Sequence, residues 1–179
     1  LIGMYTQTTV LKSIKNFNVF IDGVGYAGKA EEVVTPALER VTESYRGGGM
    51  LGEVELDLGI EAMKIEFTLA EFSTDVIKQF GIADASGIGV RLLAAAKADD
   101  ADSTVDAIEI SVRGRFKKSD MGSLKAGEMA KMKVEMPITY LTYSVNGDVI
   151  VEIDMINGIE KINGEDRQAK LRQALGLTA

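Results

Sequence analysis

The sequence has no histidine, no cysteine and no tryptophan, and only two prolines. Each absence removes a class of function. Without cysteine there are no disulfides, no thiolate nucleophiles and no cysteine-based zinc sites. A cysteine-free chain also fits a reducing cytoplasm. Without histidine the commonest general base is gone, and with it the Ser-His-Asp triad and most transition-metal sites. Chemistry would have to rest on carboxylates, Lys, Tyr or a Ser-Lys pair. Long apolar runs are missing too. Nothing approaches the ~20 residues that span a bilayer. The stretch Leu1 to Lys15 lacks the charged start, apolar middle and small-residue cleavage site of a signal peptide. Neither a membrane anchor nor a leader is expected. Basic charge is scarce, with 20 Lys and Arg against 27 Asp and Glu and a net charge of −7. Non-specific nucleic-acid binding comes from neutralising phosphates with Lys and Arg, so this balance argues against it.

What remains is a chain able to build a core. Hydrophobic residues make up 46% of 179, which suits one domain of ordinary size. Period two dominates. Met63, Ile65, Phe67 and Leu69 alternate with Lys64, Glu66, Thr68 and Ala70, as in a half-buried strand. The pattern returns in Ile108, Ile110, Val112 and Phe116, and again in Met132, Val134, Met136, Ile138 and Tyr140. Pro137 lies inside the last run and cannot donate to a ladder, so an edge or a bulge is expected there. Asn146-Gly147 separates two strand-like runs and predicts a tight hairpin; Asn157-Gly158 and Asn163-Gly164 repeat the signal. Helical signals are few. Thr74 is placed to cap a short helix through Phe80, with Val76, Ile77 and Phe80 on one face and Gly81 as the stop. A second helix is predicted from about Glu165 to Leu175, with Leu171, Ala174 and Leu175 as its apolar stripe. There is no linker and no long internal repeat. Many strands with two short helices predict a mainly β fold of sandwich or barrel type. Such a sheet has edges, which are either covered or recruit partners.

The chemical motifs do not complete themselves. Gly23-Val24-Gly25-Tyr26-Ala27-Gly28 has the spacing of a dinucleotide-binding loop, but that loop needs a helix straight after it. Val33-Val34-Thr35-Pro36 comes next and disfavours one, so the segment reads as a glycine-rich strand connection. Asp99, Asp100 and Asp102 lack the central Gly and distal Glu of a calcium loop and read as a solvated acidic turn. Glu66 and Glu109 sit on strands like any outward residue, and nothing supports an acid/base pair. The run Tyr45-Arg46-Gly47-Gly48-Gly49-Met50 lacks the ending of a phosphate-binding loop. It is either a flexible turn or a backbone that must approach a neighbour closely. No catalytic residue, metal or cofactor is expected.

Several stretches, taken together and in order, resemble one family. They are Asn18 to Gly23, Tyr45 to Met50, Asp57 to Met63, Arg113-Gly114-Arg115, Asp120 to Glu128 and Val151 to Asp166. The set is similar to the major tail tube protein of contractile-tailed bacteriophages and its relatives in R-type bacteriocins. The likeness runs from about Phe17 to Leu177, so residues 17–179 are expected to form a single tail-tube domain. Residues 1–16 are a segment of unassigned role. The resemblance implies a subunit that joins a ring-spanning β-barrel on oligomerisation. It implies homo-hexameric rings stacked into a hollow tube, with the sheath, baseplate and tail-terminator proteins as partners. Such a tube belongs to the virion tail, is assembled in the host cytoplasm, and serves envelope puncture or, in a phage, the passage of DNA without specific binding. On this reading Tyr45, Arg46, Gly47, Gly48, Gly49 and Met50 contact a neighbouring subunit. Lys117 to Ala130 is charged, glycine-containing and poor in apolar anchors. It is expected to be mobile until rings stack, with Asp120, Gly122, Lys125, Gly127 and Glu128 at the ring-to-ring contact. Glu66 and Glu109 are the candidates to line an acidic or neutral channel, with Glu55, Asp57 and Glu135 behind them; Lys64, Arg113 and Lys133 lie on comparable positions. The competing readings are a single-chain barrel holding a small apolar ligand, and the tube subunit of a related secretion machine.

Overall fold

The computed structural model describes residues 10–100 and 103–177. In chain order the elements are β1 (Lys12–Ile21), β2 (Val24–Gly25), β3 (Ala30–Val34), β4 (Arg40–Tyr45), β5 (Val54–Ile60), β6 (Met63–Leu69), α1 (Thr74–Gln79), β7 (Ile88–Ala98), β8 (Asp106–Gly114), β9 (Lys118–Asp120), β10 (Met132–Val145), β11 (Asp148–Asp154), β12 (Ile159–Ile162), β13 (Glu165–Asp166) and α2 (Ala169–Ala174). The fold is mainly β with two short helices, as the period-two patterns require. Among the described residues no helix is long and apolar enough to cross a membrane. The chain divides into two compact units built from interleaved segments, and β10 gives its first half to one and its second half to the other.

The first unit holds residues up to Gly28, then Gly89–Arg113 and Tyr140 onward. Its strands run in the order β13-β12-β11-β10-β8-β7-β1-β2. Three tight turns set the registers. Asn146-Gly147 closes Val145 on Asp148, Asp22-Gly23 closes Ile21 on Val24, and Asn163-Gly164 closes Ile162 on Glu165. All six turn residues have positive φ, the twist that lets two strands fold back over two residues. The dinucleotide-like run is therefore the β1–β2 hairpin together with the turn after β2. Strand β1 begins at Lys12, inside the stretch to which the sequence assigned no role, and pairs along β7 from Lys12↔Ala98 to Ile21↔Val90. Val19, Ile21, Val90, Leu92, Ile110, Val112, Leu141 and Ile153 fill the core. Asp99 bonds Lys15; Asp102 lies outside the described residues.

The C-terminal end differs from expectation. Residues Glu165–Asp166 are a strand against β12, so α2 starts only at Ala169. Its expected stripe is turned outward: Leu171 is 58% exposed and Leu175 66%, whereas Arg172 is 8% exposed. The cause is a polar lock. Arg172 donates to Asp166 at 2.6 and 3.2 Å and to the Gly158 carbonyl at 2.9 Å. Gln168 donates to the buried Glu160 at 2.8 Å. A guanidinium enters a fold only when its donors are met, and here they are met on one side of α2. The Arg172 bond holds the Asp166 carboxyl below its ordinary range. A depressed carboxyl stabilises the fold above the unfolded-state value, and that contribution is lost as pH falls through the folded one.

The second unit holds Lys29–Ile88 and Gly114–Thr139. Strand β6 is central, with β3 on one side and β10 on the other, and β9 also pairs β10. Met63, Ile65, Phe67 and Leu69 pack with Met132, Val134, Met136 and Ile138 on one face. Each such side chain contributes ~1.5–3 kcal/mol. Pro137 makes no bulge: it sits in unbroken register opposite Lys64. Its carbonyl lies so close to Gly114 that a Cβ there would be 2.1 Å away. The cap of α1 is Ser73, whose hydroxyl accepts from the Val76 N–H, and not Thr74. Of the expected face only Val76 is buried; Ile77 and Phe80 are exposed.

Candidate assembly surfaces

Among the described residues, strands β4 and β5 belong to no larger sheet. They form a two-stranded antiparallel ribbon running from Arg40↔Ile60 to Tyr45↔Val54, with a bulge between Val41 and Thr42. Its register puts Tyr45 and Glu43 opposite Val54 and Leu56, which share a face by alternation. Tyr45, Val54, Leu56 and Leu58 are between 44% and 60% exposed. An isolated two-stranded hairpin is marginal in water, and this one carries an uncovered apolar face. It is also acidic. Residues 39–61 contain Glu39, Glu43, Glu53, Glu55, Asp57 and Glu61 against Arg40 and Arg46. Only some are paired: Arg40 holds Asp57 at 3.3 Å.

The tip of the ribbon is the stretch Tyr45 to Met50. The Tyr45 ring lies over Gly47, where a Cβ would start 3.0 Å from its hydroxyl. The Gly47 N–H donates to Met50 Sδ at 3.0 Å, and the Met50 N–H to the Gly47 carbonyl at 3.3 Å. Gly49 has φ +85°, which only glycine adopts without strain. Gly48 has neither constraint: its φ is not left-handed and nothing lies within 4 Å of a Cβ built there. Leu51, next along, is fully exposed.

The second candidate surface is residues 117–130. Its base is ordered, since Lys118–Asp120 is β9 and pairs Glu135 to Lys133 of β10. The Asp120 carboxylate accepts the Gly122 N–H at 2.8 Å, and a Cβ on Gly122 would meet the Lys131 carbonyl at 2.8 Å. Gly127 has φ +82° beside a turn in which the Glu128 N–H donates to the Lys125 carbonyl. The side chains of those two residues pair at 3.8 Å. The loop presents Met121, Leu124 and Met129 to solvent, apolar groups that its charged composition conceals.

The channel candidates fall in different units. In the second unit Glu66 bonds Lys64 at 2.6 Å, which holds its carboxyl below the ordinary range. Around it Lys133 and Asp120, and Glu135 and Lys118, are opposite one another in register, so the charged face of this sheet is mixed in sign. In the first unit Glu109 accepts two bonds from Arg91, at 2.7 and 3.0 Å, and is likewise held low. Neither is a bare carboxylate.

What this geometry offers is uncovered β surface. The profile of the family described as Phage tail tube protein FII matches residues 11–176. The chain belongs to the phage tail tube protein family. It is 38% identical over 169 residues to the tail tube protein of Escherichia phage P2, covering 93% of this chain and 98% of that one. The major tail tube protein of Serratia phage KSP20 is 30% identical over 167 residues, covering 93% and 96%. Among solved structures, the fold matches a chain of the sheath-tube complex of an extracellular contractile injection system, PVC, in its extended state. That match has a TM-score of 0.55 at 10% identity, over 78% of this chain and 93% of the other. At that identity, what the tail tube subunit and this distant chain share is the β fold.

Proposed function

We propose that this tail tube subunit closes into six-fold rings that stack into a hollow conduit inside a contractile tail, and that it does so without catalysis or a bound cofactor. The observation that carries the reading is the ribbon of β4 and β5, whose apolar face is unmatched among the described residues. A monomer gains nothing from exposing Tyr45, Val54, Leu56 and Leu58 together, whereas a neighbouring copy covers them. The ribbon with its tip Tyr45 to Met50 is the contact to the adjacent subunit. The loop 117–130, with Asp120, Gly122, Lys125, Gly127 and Glu128 and its three exposed apolar side chains, is the contact between rings. Pairing of the open sheet edges across subunits completes the ring-spanning barrel. Sheath, baseplate and terminator proteins are its partners in the virion tail. The channel face includes Glu66 and Glu109 as members of ion pairs. A lining of such pairs attracts no phosphate backbone and lets DNA slide.

A single experiment addresses all of this. Tubes grown from purified subunit and reconstructed by cryo-electron microscopy are expected to show six subunits per ring, the ribbon against a neighbour, loop 117–130 at the seam between rings, and Glu66 and Glu109 facing the channel. A tube in which the ribbon faces solvent overturns the subunit contact. A soluble monomer at all concentrations overturns the assembly.

A further inference from the structure

The second unit also carries a cleft of about 520 Å³ beside the end of α1. Phe80, Ile82, Phe116 and Pro137 give it apolar walls, and Arg115 and Lys117 line it as cations. Phe80 is half exposed. Lys117 lies 3.5 Å from Glu135. Arg115 donates to the Ala83 carbonyl at 2.9 Å and faces no carboxylate among the described residues. The cleft thus combines apolar walls with a cationic group whose charge is not answered.

The ribbon tip has the opposite character. Leu51 projects fully into solvent, and Glu53, two residues on, has no cationic partner among the described residues. We infer that Leu51 of one copy enters the Phe80–Phe116–Pro137 cleft of the next, with its Glu53 paired to that copy's Arg115. This rests on the assembly reading above and names where the ribbon tip docks. Knob and cleft are different patches of one chain, so the contact is heterologous: each copy donates once and receives once. Heterologous contacts close into rings or run on as filaments, and they leave no free partner inside either. Charge and shape agree here. An apolar knob fills apolar walls, and an unpaired carboxylate meets an unpaired guanidinium, the fork geometry that best fits it.

The test is a charge exchange read by assembly. Sedimentation and light scattering give the concentration at which wild type, Glu53→Arg, Arg115→Glu and the double variant form tubes. Each single reversal places like charges together and is expected to raise that concentration by at least about tenfold. The double variant restores the pair and is expected to return toward wild type. Leu51→Asp, a change made in open solvent, is expected to block assembly while leaving the thermal unfolding of the free subunit unchanged. If the double variant assembles no better than the singles, or if Leu51→Asp assembles like wild type, the docking assignment is wrong and the assembly reading stands. If wild type itself forms no tube, the assembly reading falls first.

Discussion

Two antiparallel strand pairs in this chain carry nearly the same pattern and meet opposite fates. In β6, Met63, Ile65, Phe67 and Leu69 alternate with mostly polar residues, and all four are buried against β10. In β5, Val54, Leu56 and Leu58 alternate with Glu55 and Asp57, and all three stay in solvent. The difference is not in the strands. Strand β6 has β3, β10 and the ring of Phe116 within its own unit. Strand β5 has only β4 among the described residues. Alternation states that one face must be covered; it does not say which molecule covers it. Among the described residues nothing but β4 pairs with β5, and the assembly proposed above assigns the cover of its apolar face to a second copy.

The largest way to break this comparison is truncation. Ile65→Ala leaves a cavity in a closed core and is expected to cost the free subunit about 2–5 kcal/mol. Leu56→Ala removes a side chain that the free subunit leaves about half exposed, and is expected to cost under about 0.5 kcal/mol. Denaturant unfolding of the monomer measures both; equal losses would mean the ribbon is already packed within the subunit.

A smaller contrast sharpens it with two glycines. A Cβ at Gly114 would stand 2.1 Å from the Pro137 carbonyl, so Gly114→Ala must push one backbone off another. The expected cost is ~1–3 kcal/mol or more. At Gly48 there is open space, so Gly48→Val is expected to leave subunit stability within about 0.5 kcal/mol while impairing tube formation. Normal tubes from Gly48→Val would remove the ribbon tip from the contact.

The same distinction explains what could be read in the sequence. The turns at Asn146-Gly147 and Asn163-Gly164 were legible because their geometry is decided by two adjacent residues. The buried runs of β6, β8 and β10 were legible because their cover lies in the same chain. The stripe of α2 was not legible because Arg172 is held inward by Asp166 and Gly158, partners that no helical period reveals. The bulge expected at Pro137 is absent: its register with β6 is unbroken, and Gly114, lacking a Cβ, makes room for its carbonyl. The tip at Tyr45 to Met50 was visible as a glycine run, but the apolar face behind it was not, since Glu55 and Asp57 make the ribbon read as polar. In the loop 117–130 the charges likewise hid Met121, Leu124 and Met129. Resemblance to tail tube proteins identified the role; the structure shows which apolar side chains the described residues leave exposed.

The most direct measurement of the central claim replaces the uncovered face itself. Leu56→Asp with Leu58→Asp makes both sides of β5 polar without touching a buried contact of the free subunit. Sedimentation and negative-stain imaging are expected to show a monomer that unfolds like wild type and forms no tubes at concentrations where wild type does. Tubes of normal length from this variant, or a subunit that no longer folds, would contradict the account.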